Sequence, residues 1–135
     1  KWFEIARLPN RFERGCAGVT AEYQLRDDGK IRVLNTCRKG GVNGPVKVAE
    51  GQAKQVGPAK LKVTFTPWLP FIQGNYWVLY IDKGYSLAVV GEPKRKFAWI
   101  LSRSPEISSA QLAAAHGALR DNGYDPSLLE MVVQK

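Results

Sequence analysis

The chain has 135 residues, 44% of them hydrophobic and 24% charged, with a formal net charge of +8. That length builds one domain with a full core and excludes two of comfortable size. The longest apolar runs fall short of the ~18 residues a membrane-spanning helix needs. The positive excess points to an anionic partner (nucleic acid, a membrane surface or an acidic ligand), with plain solubility as the alternative. Lys1 runs directly into strand-like sequence, so residues 1–135 are read as one trimmed mature domain whose address segment is out of view.

The predicted elements are mostly strands. Residues 2–8 are short and apolar. Residues 19–25 alternate, with Val19, Ala21, Tyr23 and Leu25 opposing Thr20, Glu22 and Gln24. Asp27, Asp28 and Gly29 signal a turn. Residues 31–38 follow, with Ile31, Val33, Asn35 and Cys37 on one face. Residues 40–45 break the chain and 46–53 form a weaker strand. Residues 59–66 set Leu61, Val63 and Phe65 against Lys60, Lys62 and Thr64. Residues 67–74 read as a loop punctuated by proline. Two apolar runs, 75–81 and 85–90, form a hairpin about Asp82, Lys83 and Gly84, and 97–103 is the last strand. Strands at such short, regular spacing predict an all-β fold, an up-and-down barrel or a sandwich; a closed antiparallel meander leaves no edges.

One helix is expected late. Ser108 and Gln111 fit a capping box, Ile107 and Leu112 a hydrophobic staple, and Gly123 the position after the C-cap. Leu112, Ala115, His116 and Leu119 form its packing stripe. The hairpin at 75–90 is apolar on both faces, which requires a cover on each side. The helix is expected over the outside of the late strands, and the barrel interior takes the other face. That interior is either a filled core or a cavity for an apolar ligand.

Three stretches resemble the lipocalin family. The opening KWFEIARLPNRFERG is similar to its first motif, YWVLYIDKGYSLAVV to its second and FAWILSRSP to its third, closest to the bacterial outer-membrane lipocalins and to their plant temperature-induced and apolipoprotein D-like relatives. The resemblance implies an eight-stranded antiparallel up-and-down barrel with one C-terminal helix outside. It implies that Arg103 packs over Trp2 as a plug at the closed end, and that the protein carries small hydrophobic ligands. Bacterial members of the family are linked to fatty acids and lysophospholipids in the periplasm, at the outer membrane. The Gly that stands two places before the Trp of the first motif, and any lipid-bearing Cys, lie outside this chain.

In a meander that begins as lipocalins do, residues 8–18, 38–45, 67–74 and 91–96 lie at the mouth. Those loops carry Arg11, Arg14, Arg38, Lys39, Lys94, Arg95 and Lys96 against Glu13 and Glu92. The closed-end turns balance Arg26, Lys30, Lys54 and Lys83 against Asp27, Asp28 and Asp82. A cationic rim above an apolar cup suits an amphiphile with an anionic head, or an anionic membrane. Trp68 and Phe71, with Leu69 and Ile72, form an apolar stretch at the rim, able to act as a lid, a membrane-touching tip or a homodimer contact. The expected cavity lining is Tyr23, Val33, Asn35, Leu61, Val63, Phe65, Tyr76, Val78, Tyr80, Trp99 and Leu101.

Cys16 and Cys37 are 21 apart, which matches no zinc spacing, and a single His adds little, so neither metal nor cofactor is expected. The two thiols are either free and buried or bridged. With Asp28-Gly29 as the turn, ladder partners sum to about 57 and Cys37 falls opposite Thr20; a chain bend at Cys16 then permits the bridge we expect, which calls for an oxidising compartment. Nucleic acid is not an expected partner, because the basic residues sit in loops while the aromatics fall on apolar strand faces. The chain shows neither a nucleophile–base pair nor a phosphate loop, so it reads as a carrier and not an enzyme. A porphyrin, retinoid or carotenoid cargo, or isomerisation of a ligand by an interior tyrosine, are the alternatives.

Overall fold

The computed structural model describes residues 1–10, 13–65 and 69–134, without the side chains of 65 and 69–73. Arg11 and Trp68, and the side chains of Phe65, Leu69, Phe71 and Ile72, therefore lie outside the described residues. Eight antiparallel strands form the barrel: β1 (Trp2–Arg7), β2 (Cys16–Leu25), β3 (Ile31–Lys39), β4 (Val46–Gly57), β5 (Lys60–Phe65), β6 (Leu69–Ile81), β7 (Leu87–Gly91) and β8 (Ala98–Ser102). Each pairs with the next, and β1 closes the sheet by pairing with both β8 and β2. A helix, α1 (Ser109–Asp121), follows, and a short strand, β9 (Glu130–Met131), adds to β1.

The apolar sequence divides into two layers. Ile5, Ala6, Leu87, Val89, Ala98 and Ile100 point outward and pack with Ala115 and Leu119 of α1. Trp2, Ala88, Val90 and Leu101 point inward. Alternation along β7 and β8 thus serves both sides, which is why those strands have no wet face. Ser108 and Gln111 make the capping box, and Ile107 and Leu112 pack onto the outer layer. After the helix, the Tyr124 hydroxyl donates to the carbonyl of Phe97 at 2.7 Å and accepts from the Glu92 N–H at 3.1 Å, tying the β7–β8 turn to the tail. Only glycine fits at 91, since a Cβ there would stand 2.5 Å from that hydroxyl.

Several local irregularities depart from simple alternation. The β2–β3 connection is a three-residue loop with Gly29 at φ +81°, so partners sum to 56 and Thr20 faces Thr36, not Cys37. This register keeps Tyr23 beside Val33 on the inner face. In β6 the register against β7 shifts between Val78 and Tyr80. A bulge puts consecutive residues on one side, so both Leu79 and Tyr80 pack in the outer layer under α1. A similar shift in β1 sends both Ile5 and Ala6 outward. Finally, residues 69–74 are strand where a loop is expected: Leu69 pairs with Phe65 and Gln73 with Thr64. The residues between them bulge out, which frees Pro70 from supplying a ladder N–H.

Candidate functional site

The barrel holds a cavity of about 660 Å³, within the ~300–1,000 Å³ usual for small-molecule sites. Its wall combines Tyr23, Val33, Asn35, Val63, Tyr76, Trp99 and Leu101 with Glu4, Glu13, Lys39 and Lys47. Seven of the eleven residues expected from sequence parity are therefore on the wall. Leu61 instead packs below it on the Val33–Ala53–Val63 cluster. Val78 pairs with Val90, and Val90 belongs to the inner cluster of Trp2, Ala88 and Leu101. Tyr80 is on the opposite side of the sheet, for the reason given by the β6 bulge. The side chain of Phe65 lies outside the described residues.

One side of the cavity is an aromatic row. Phe97 and Trp99 stack at 5.9 Å and 9°, and Trp99 and Tyr76 at 5.9 Å and 24°. Tyr23 follows, its hydroxyl 2.5 Å from that of Tyr76. Burial pushes the Tyr23 phenol up to about 12 and raises that of Tyr76 as well, so both hydroxyls stay protonated and satisfy each other.

Beside this row lies a buried charge cluster that the sequence reading missed. Arg7 is only 4% exposed. Its Nε donates to Glu130 at 2.6 Å, its Nη1 reaches Glu4 and Glu13 at 3.4 Å each, and its Nη2 donates to the Cys16 carbonyl at 3.2 Å. Glu13 also accepts from Trp99 Nε1 at 2.7 Å and from Asn10 at 3.1 Å. Burial raises the Glu4 carboxyl well above its ordinary range, and the Glu13 carboxylate adds to that shift against the opposing pull of Arg7. Two acids thus face the cavity: Glu4, which burial drives toward the neutral form, and Glu13, tied to Arg7 and Trp99. The β1 bulge was the missing signal, since it turns Arg7 inward, onto the face of Glu4, across two outward residues.

The mouth is less uniformly cationic than its loops suggest. Lys39 lines the cavity and donates to the Arg14 carbonyl at 2.9 Å. Lys47 also lines it, opposite Cys37, because it shares strand parity with the inward Ala49 and Ala53. Arg95 folds away: its guanidinium lies where a side chain at Gly123 would go, beyond the end of α1. The backbone N–H groups of Lys94 and Lys96 donate to Glu92, while Arg14 and Arg38 are exposed. At the closed end the Arg103 guanidinium sits 4.1 Å from the Trp2 ring centre. Cys16 and Cys37 form a disulfide with Cα atoms 5.4 Å apart. Gly18, at φ +57°, bulges β2 just after Cys16, so the ladder partners there shift to Cys16–Lys39 and bring the two sulfurs together.

A family model described as a lipocalin-like domain matches residues 1–134. Outer membrane lipoprotein Blc of Escherichia coli K12 is 41% identical over 139 residues, spanning 98% of this chain and 75% of the relative. Temperature-induced lipocalin-1 of Arabidopsis thaliana is 39% identical over 143 residues, 99% of this chain and 75% of the relative. Apolipoprotein D of Macaca fascicularis is 32% identical over 144 residues, 100% of this chain and 74% of the relative. Lobster apocrustacyanin A1 matches with a TM-score of 0.78 at 16% identity, over 99% of this chain and 76% of that one, a likeness of fold. With the barrel, the outer helix and these matches together, the chain belongs to the lipocalin-like family.

Proposed function

We propose that this protein binds and carries a small amphiphile, with the acyl chain in the cavity and the anionic part of the head at Lys39 and Lys47. The observation that supports this reading is the cavity of about 660 Å³, apolar over most of its wall with these two lysines at its opening. Of the two cargoes suggested by the family, a lysophospholipid fits better than a fatty acid. A phosphate can stay at the lysines with its charge in water. A carboxylate drawn further in shares low-dielectric space with Glu13, where like charges repel strongly. Relatives named outer membrane lipoproteins support a place in the cell envelope, on the periplasmic side of the outer membrane, and the disulfide suits that oxidising compartment. The role is holding and handing on, not turnover.

Competition for a fluorescent fatty-acid reporter tests the head. Among ligands of equal chain length, the lysophospholipid displaces the reporter at the lowest concentration, and Lys47→Gln weakens it by about 10-fold, the equivalent of one charge-assisted contact. Equal displacement by a neutral long-chain alcohol, with no effect of Lys47→Gln, contradicts the assignment of the head. A second reading, a flat conjugated cargo, draws on the parallel Phe97–Trp99–Tyr76 row. It requires visible absorbance in protein purified from its host.

A further inference from the structure

The longest stretch without a carboxylate runs from Gly51 to Ile81, between Glu50 and Asp82. It carries Lys54, Lys60 and Lys62, all exposed on β4 and β5 near the closed end. Lys54 and Lys62 are direct cross-strand partners. Like charges placed opposite each other in this way weaken a sheet. Among the described residues no carboxylate comes within ion-pair distance of any of the three. Lys60 extends over the half-buried Trp77, 4.3 Å from its ring centre. The turn between the strands ends in Val56, half exposed at 50%, and exposed Pro58 and Ala59, the last held at φ +57°. An apolar tip is thus collared by three unneutralised lysines beside an aromatic. The other closed-end turns carry Asp27, Asp28 and Asp82, so what sets the β4–β5 turn apart is a collar without acidic residues around Val56, Pro58 and Ala59 and beside Trp77.

We propose that the closed end, through the β4–β5 turn and Lys54, Lys60 and Lys62, docks on an anionic lipid bilayer, leaving the mouth directed into the aqueous phase. A bilayer supplies both things this surface lacks: a diffuse negative potential for lysines without acidic partners, and an interface into which Val56 and the face of Trp77 can settle. An acidic protein would answer the charges but not the apolar tip. The inference stands apart from the cargo reading and adds a direction to it: cargo enters and leaves through water and not straight from the membrane plane.

The test is co-sedimentation of the full chain with vesicles of phosphatidylcholine alone or with about one-quarter phosphatidylglycerol. Binding is expected only to the anionic vesicles, falling with added salt. Lys54→Glu with Lys62→Glu weakens it by about 30-fold or more, at roughly one membrane-proximal charge each. Lys94→Glu with Lys96→Glu at the mouth leaves it within about twofold of wild type. Both native cysteines are bridged, so Val56→Cys offers a single thiol for an environment-sensitive dye. That dye shifts to the blue on anionic vesicles. Reporter binding in the cavity is retained in the Lys54/Lys62 variant, which separates the docking surface from the cargo site. The proposal is overturned if the wild type ignores anionic vesicles, if the closed-end reversal leaves binding intact, or if the mouth reversal abolishes it.

Discussion

Replacing Arg7 with alanine is expected to cost about 3–5 kcal/mol, the usual penalty for removing one partner of a buried ion cluster. Its side chain is 5% exposed and reaches Glu4, Glu13 and Glu130 at once, while the bond to the Cys16 carbonyl ties β1 to β2 beside the mouth. Without it, two carboxyls remain in the cavity wall facing each other. The loss should depend on pH, and the sign follows from Glu4. Its carboxyl already titrates above its ordinary range in the folded state, so the folded protein holds a proton that the unfolded chain releases. Between the two values, stability falls as pH rises. Arg7→Ala removes a lowering influence on Glu4 and extends that fall to higher pH. Chemical denaturation near pH 4.5 and near pH 8 measures it: the variant should lose much more stability at the higher pH. Glu4→Gln in the same background keeps a neutral hydrogen-bonding group and should recover part of the loss near pH 8.

The second large effect is that of the disulfide. Cys16→Ala with Cys37→Ala should lower stability by about 3 kcal/mol, from the chain entropy of a loop with sequence separation 21. The consequences are local as well. Gly40 N–H donates to Gly15 O at 2.9 Å and Lys39 to Arg14 O at 2.9 Å, so the bridge holds the first mouth loop against the β3–β4 loop. Val132 packs on the bridge with Val19, and the Gly18 N–H donates to Val133 O at 2.6 Å. The C-terminal strand thus fills the seam where β1 and β2 part. Hydrogen exchange should show Gly18, Gly40 and Val132 losing protection first in the double variant, while the amides between β7 and β8 keep theirs.

The barrel, the helix with its cap and staple, and the two apolar layers were all legible in the sequence, because each rests on a repeat of fixed period. A bulge adds one residue and turns every later side chain to the other face. Tyr80 moved outward this way, and Arg7 moved inward, onto the face that Glu4 shares with Trp2. Counting charges by loop also missed Lys47, a strand residue that faces the mouth interior, and Lys60 and Lys62, which lie on a strand near the closed end beside the counted Lys54. Parity marks Lys47 once β4 is accepted as a strand, since its inward neighbours Ala49, Gly51 and Ala53 are all small. Nothing in the spacing marks the contacts of Arg7, whose partners come from residues 3, 6 and 123 positions away.

The most direct test of the carrier reading is native mass spectrometry of protein purified gently from its own host, followed by extraction and identification of bound lipid. The account predicts a single amphiphile per chain, a lysophospholipid before a fatty acid, lost or reduced in Lys47→Gln. An empty protein that also fails to take up a fluorescent fatty acid would contradict it, and would mean that the space inside the barrel is not a lipid site.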